Sequence, residues 1–335
     1  MNVYQRLGIN YHMNETHQHK RRLPSLLRWI LWALIVQFIL FNISSAIYAH
    51  RLTHFYKQVE TENPADRNIF EKTWKLFTGP RQSRSASDAE PVFSFENIQF
   101  KTAKGLSIAG WYGPADTLAR GTVIFLHGIT GNKSFLIDEA HECRSWGYNV
   151  LLLDLRGHGA SEGSLTSIGV RETEELKLAW DYIQAKGEKN IYLYGVSMGA
   201  VVVARAVADW KLEPAGVVLD MPFASLQSYL ANKARTLGFP SQPFAFFTTF
   251  WIGIQRGYNG YRHQTTRYVK KLDCPVLMQW GARDGFVLRD ETERIYEAIP
   301  GGNKKLVIYN EARHESFLNK DPVKWRIEME GFLGR

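Results

Sequence analysis

Beyond residue 90 the chain alternates two patterns. Short apolar runs at 121–126, 149–154, 191–195, 215–219, 276–280 and 305–308 lie between turn residues and read as buried strands. Between them, 136–146, 169–185, 200–210, 288–298 and 322–333 carry apolar residues at helical spacing. Two further strands, 93–102 and 106–112, flank a turn at Lys104-Gly105. The 200–210 stretch is rich in Val and Ala, and its modest helix propensity suits burial against a sheet. Repeated strand–helix units predict an α/β fold, a mostly parallel sheet with helices on both faces.

Three stretches break this rhythm. Residues 29–48 hold no charged side chain over 20 positions. At 1.5 Å per residue they span about 30 Å, the thickness of a bilayer core, and Trp29, Trp32 and Tyr48 suit its interfaces. A cleaved signal peptide ending at Ser44-Ser45-Ala46 is the competing reading, but its apolar part is normally shorter. An uncleaved transmembrane helix is favoured. Lys20, Arg21, Arg22 and Arg28 precede it, whereas Arg51 and Lys57 after it are diluted by Glu60 and Glu62. The basic tail 1–28 is therefore expected in the cytoplasm and the bulk of the chain on the extracytoplasmic side of the membrane. Residues 49–90 read as a connector, with a short amphipathic helix at 67–77. The third stretch, 223–262, carries Phe239, Phe244, Phe246, Phe247, Phe250, Trp251 and Tyr258 between two strands. It reads as a cap or lid on the catalytic domain 91–335.

Composition excludes several classes. With 45% hydrophobic and 22% charged residues, the chain is neither disordered nor a disulfide scaffold. The net charge of +8 could suggest nucleic-acid binding, but residues 1–90 hold twelve Lys and Arg against seven Asp and Glu. The remainder is close to neutral, so no broad phosphate-binding face, and no nucleic-acid partner, is expected. Cys143 and Cys274 form no metal-like spacing and read as buried thiols. His12, His17 and His19 read as a solvated tail. No H-E-x-x-H and no G-x-G-x-x-G after the first parallel strand is present, so no metal, nucleotide or other cofactor is expected.

The chemistry falls at strand ends. Gly195-Val196-Ser197-Met198-Gly199 is a G-x-S-x-G directly after a strand and before a helix. A serine on such a turn is held exposed in a strained conformation, and small neighbours let the chain close. A hydroxyl nucleophile needs a base. His314, in a loop between the last strand and the last helix, is the candidate. The base needs an acid to fix its tautomer: Asp284, in a Gly-flanked loop, is preferred over Asp220, which ends the preceding strand. Backbone N–H groups of Met198 and of Ile129, with Thr130 next, would hold an oxyanion. His127 reads as structural rather than catalytic, and Asp154-Leu155-Arg156-Gly157-His158-Gly159-Ala160-Ser161 as a tight turn near the site.

His127-Gly128, Asp154-x-Arg156-Gly157-x-Gly159-x-Ser161, Gly195-x-Ser197-x-Gly199, Gly281-x-x-Asp284 and His314, in that order, resemble the α/β-hydrolase superfamily. Within it they are most similar to the serine-aminopeptidase-like and lysophospholipase-like branch. The resemblance covers about 91–335. It implies an eight-stranded, mostly parallel sheet, a cap after the sixth strand, a Ser197–Asp284–His314 catalytic triad and no cofactor. The expected function is a serine hydrolase acting through an acyl-enzyme on an ester, thioester or amide. A carboxylic-ester hydrolase (esterase) with a small or lipid-like acyl substrate is favoured by the aromatic cap and the membrane segment. A peptidase or amidase, or a non-catalytic binding module on the same fold, is the alternative.

Overall fold

The computed structural model describes residues 24–57, 68–86, 89–236, 238 and 240–334. The basic tail up to residue 23, with Glu60, Glu62 and Phe239, lies outside the described residues. The chain divides between Asn42 and Ile43 into two units. The first, as described, is the leading part of helix α1 (Ser25–Leu52), whose side chains up to Leu40 are exposed. By length and composition α1 is apolar enough to cross a membrane.

The second unit is built on eight strands: β1 (Glu96–Lys101), β2 (Ser107–Gly113), β3 (Thr122–Leu126), β4 (Asn149–Leu153), β5 (Ile191–Val196), β6 (Gly216–Asp220), β7 (Val276–Gly281) and β8 (Lys304–Tyr309). They form one sheet in the order β8-β7-β6-β5-β3-β4-β2-β1. β2 runs antiparallel to β1 and β4, and the other pairings are parallel. Central strands β3, β6 and β7 are buried at every position. This is why they read as unbroken apolar runs rather than alternating ones. Phe125 in β3 pairs in register with Leu152 of β4 and Tyr194 of β5, at the centre of the core.

Helices cover both faces. After the short α2 (Ile69–Thr78) come α3 (Ile137–Ser145), α4 (Thr173–Ala185), α5 (Met198–Trp210), α6 (Leu226–Thr236), α7 (Ser241–Arg256), α8 (Arg289–Ala298) and α9 (Pro322–Leu333). Helix α5 is buried along almost its whole length, in keeping with its Val- and Ala-rich sequence. Helices α6 and α7 are the cap, inserted after the sixth strand.

Three details differ from the sequence reading. Helix α4 starts at Thr173 rather than 169, because the buried Glu172 carboxylate accepts from the backbone N–H of Ser167 and Gly169 and from the Thr166 hydroxyl, holding 166–172 as a loop. Tyr48 does not behave as an interfacial residue. Its ring is buried edge-on against Phe244 of α7, and Ser45, Ala49 and Leu52 are buried with it. The last turns of α1 therefore belong to the folded unit. Part of the expected connector does too: Thr53 and Phe55 exchange backbone hydrogen bonds with Thr166 and Ser164. Of the two free cysteines, Cys143 is buried and Cys274 only half-buried.

Candidate active site

The β5–α5 turn shows what the glycine spacing is for. Ser197 adopts φ 53°, ψ −111°, a conformation costly for a residue with a Cβ. A Cβ on Gly195 would sit 2.4 Å from the backbone of Gly199. A Cβ on Gly199 would sit 2.2 Å from the Leu126 carbonyl oxygen at the end of β3. Two close backbone approaches thus require the two glycines, and the tight turn they permit leaves Ser197 at the head of α5. There the first helical N–H groups have no intrahelical acceptor.

Ser197 and His314 line one cavity of about 390 Å³, together with Gly128, Ile129 and Phe223. That is within the range of small-molecule pockets. His314 Nδ1 is bonded to Asp284 Oδ2 at 2.7 Å. The Asp284 side chain is fully buried, and its other oxygen accepts from the backbone N–H of Phe286 at 2.7 Å and Val287 at 3.0 Å. These bonds fix the carboxylate, and the carboxylate fixes the imidazole. Asp220, the rival acid, is committed elsewhere. It accepts from the Tyr194 hydroxyl and, at 2.9 Å, from Gln279 Nε2. Burial pushes its carboxyl up to about 7.

The loop after β3 passes close to the Ser197 turn, for a Cβ on Gly128 would lie 3.4 Å from Ser197 Cβ. Ile129 follows it into the cavity. His127 is buried, with Nδ1 2.7 Å from the Gly128 carbonyl and Nε2 accepting from Leu155 N–H at 3.1 Å. Burial, with His158 beside it, drives its pKa down to about 3, so the ring is neutral and both nitrogens are spent on holding this loop. The Asp154–Ser161 turn braces the same loop. Asp154 takes Lys133 N–H and Nζ, and His158 Nε2 lies 2.6 Å from the Ile129 carbonyl.

Two supports were not visible in the sequence. Glu139 of α3 lines the cavity and accepts from Ser316 Oγ at 2.6 Å, tying the His314 loop to α3; burial raises its carboxyl to about 7. Residues expected to be mere connector strap the loop after β3: Ser85 Oγ donates to the Gly131 carbonyl, and Asn132 Nδ2 to that of Ala86. Both are single long-range bonds, and nothing local marks them. Lys233 brings a cation to the otherwise apolar wall formed by Met221, Phe223, Tyr229 and Phe286. Among the described residues no group of three or more His, Cys, Asp or Glu side chains could hold a metal ion.

A sheet of this order, with a serine at the β5–α5 turn, a His–Asp pair on the loops after β8 and β7, and a cap after β6, matches solved structures. An esterase of Pyrococcus furiosus, Pf2001, superposes with a TM-score of 0.63 at 25% identity, covering 76% of this chain and 99% of that one. This chain has the α/β-hydrolase fold. Residues 117–251 match the family model described as serine aminopeptidase, S33. Among curated proteins, an uncharacterized protein of Bacillus subtilis (strain 168), YqkD, is 29% identical over 261 residues, which is 75% of this chain and 85% of the relative. The lysophosphatidylserine lipase ABHD12 of Danio rerio is 23% identical over 291 residues, 82% of this chain and 72% of that protein. The fold is of the serine-hydrolase type and the protein is a hydrolytic enzyme.

Proposed function

We propose that this α/β-hydrolase is a membrane-anchored serine esterase acting on amphiphilic, lipid-like carboxylic esters. The observation that carries the reading is the Asp284–His314 bond at 2.7 Å, with His314 and Ser197 facing one cavity. Neutral His314 takes the Ser197 proton through Nε2, and Ser197 Oγ attacks the ester carbonyl. The tetrahedral oxyanion sits between the N–H groups of Met198 and Ile129. His314 then protonates the departing alkoxide, leaving an acyl-enzyme, and activates a water that releases the acid. Each oxyanion donor is worth on the order of 100-fold in rate.

The lipid-like class is supported by the apolar wall, by the single cation Lys233 against it, which suits an anionic headgroup, and by the lysophosphatidylserine lipase and esterase among its relatives. The serine-aminopeptidase family match favours a second reading, amide or peptide cleavage on the same machinery. Helix α1 serves as the anchor, with residues before it cytoplasmic and the hydrolase unit outside. A fluorophosphonate that cannot cross membranes, applied to intact cells, tests both parts. It should label the wild-type chain and not Ser197→Ala, and the unlabelled wild-type enzyme should turn over medium-chain esters faster than anilides. Labelling only after lysis inverts the topology; no labelling even then leaves a binding module.

A further inference from the structure

The amphipathic helix α2 contributes no residue to the cavity of Ser197 and His314, and two of its large aromatic side chains are exposed. A reciprocal cap starts it: Asn68 Oδ1 accepts from Glu71 N–H at 2.9 Å, and Glu71 accepts from Asn68 N–H at 3.0 Å. Phe70, Trp74 and Phe77 fall on one side, with Glu71 and Lys75 on the other. Phe70 is 83% exposed and Trp74 59%. Two large aromatic rings on one side of a ten-residue helix thus face water, the mark of an interaction surface.

The cap has a matching feature. Phe246, Phe250 and Ile254 of α7 are four residues apart and exposed, opposite the face that Ala245, Thr249 and Ile252 bury. Both helices are fastened to the same stretch of chain. Ser44 Oγ donates to the Phe77 carbonyl at 2.5 Å, and Arg51 Nη1 donates to that of Gly79 at 2.7 Å, closing the end of α2. Gly79 has φ 74°, and the Tyr48 ring occupies the place of its Cβ. From the cap side, Gln255 Nε2 donates to the Ala46 carbonyl at 2.8 Å, and Phe244 meets the Tyr48 ring. Both helices are therefore bonded to residues 44–51, which follow the membrane-length segment in the sequence.

We propose that α2 and the outer stripe of α7 rest in the lipid headgroup–acyl boundary, so that the hydrolase unit lies on the bilayer with its cap against the surface. The occupant is a bilayer because the stretch to which both helices are bonded is continuous in sequence with the anchor; the inference rests on the anchor reading above. Interfacial helices of this kind sink their apolar face about 5–10 Å, a depth that short aromatic stripes fit.

The test uses the full chain, one copy per phosphatidylcholine–phosphatidylglycerol nanodisc, in a Cys274→Ser background. An environment-sensitive fluorophore is attached at one of four positions: Ile35→Cys in the anchor, Trp74→Cys, Phe250→Cys, or Val323→Cys on the exposed side of α9. Brominated acyl chains should quench positions 35, 74 and 250 at least about twofold and leave 323 unaffected. Quenching at 35 with water-like emission at either 74 or 250 overturns the docking and leaves the anchor standing. No quenching at 35 overturns the anchor, and the docking with it. Emission at 74 and 250 that is shielded from water yet insensitive to bromine places protein rather than lipid on the stripes, and also overturns the proposal.

Discussion

The Ser197 turn and the outer face of the cap belong to one folded unit but are specified by opposite means. At Ser197 the decisive atoms are backbone: Gly199 is needed because the Leu126 carbonyl lies where its Cβ would go. At Phe246, Phe250 and Ile254 the side chains are exposed, with ring contacts from Phe246 to Phe247 and Tyr261 and from Phe250 to Trp251, and it is their apolar character that the docking uses. The first region tolerates almost no substitution and says what reaction is possible. The second tolerates many and bears on where the enzyme meets its substrate. A site can thus be read from close approaches, whereas a surface has to be read from what it leaves unpaired.

The sharpest way to break the comparison is to alter the site without altering its packing. Asp284→Asn keeps the shape but offers His314 Nδ1–H a poorer, mis-assigned partner. It should lower kcat/KM on a p-nitrophenyl ester by about 10³–10⁴-fold, the scale of that change in serine proteases. Asp220→Asn, whose side chain faces Tyr194 and Gln279, should cost less than about tenfold. If position 220 proved the sensitive one, the acid would be misassigned.

Next in size is the backbone approach itself. Gly199→Ala places a methyl 2.2 Å from the Leu126 oxygen, a contact only a backbone shift can relieve. A destabilisation of about 3 kcal/mol is expected, at the upper end for overpacking, measured as the denaturant midpoint in detergent. Gly302→Ala, with no atom within 4 Å of the added Cβ, should be silent. Equal effects at 199 and 302 would show that the tight turn is not what the motif protects.

Much of this was legible in the sequence, for reasons that differ by element. The buried strands declared themselves because a strand covered on both faces is mostly apolar, and the few polar residues it carries, such as Gln279 and Asp220, are hydrogen-bonded to each other. Ser197, Asp284 and His314 could be singled out as candidates because each lies in the turn or loop that follows a strand. The start of α4 did not, since the Glu172 carboxylate that holds the preceding loop looks like any surface glutamate. Nor did the end of the membrane-length segment. Tyr48 has the character of an interfacial residue, and only the packing of Phe244, almost 200 positions away, removes it from that role. Glu139 and Ser316 escaped for the same reason: one bond between distant loops leaves no local pattern.

The smallest expected effect concerns the two ends of the cap. Asp220 closes β6 before it and His263 stands just after it, both buried. Burial raises the Asp220 carboxyl from 3.8 to about 7. Its folded pKa exceeds the unfolded one, so the folded state binds the extra proton, and its contribution is greatest below about pH 4 and declines towards 7. Burial, helped by Arg205, lowers His263 from 6.5 to about 4, while Nε2 stays 2.8 Å from the Ile168 carbonyl. Here the unfolded state binds the extra proton, so the contribution is complete above pH 6.5 and is lost as pH falls towards 4. Between those limits the two slopes offset one another, each at most about 1.4 kcal/mol per pH unit. Asp220→Asn should therefore gain stability relative to wild type as pH rises from 4.5 to 6.5, and His263→Gln should lose it. Denaturant titrations of the full chain in detergent at those two pH values measure both. Shifts of the same sign in the two variants would mean that the ends of the cap do not oppose each other in this way.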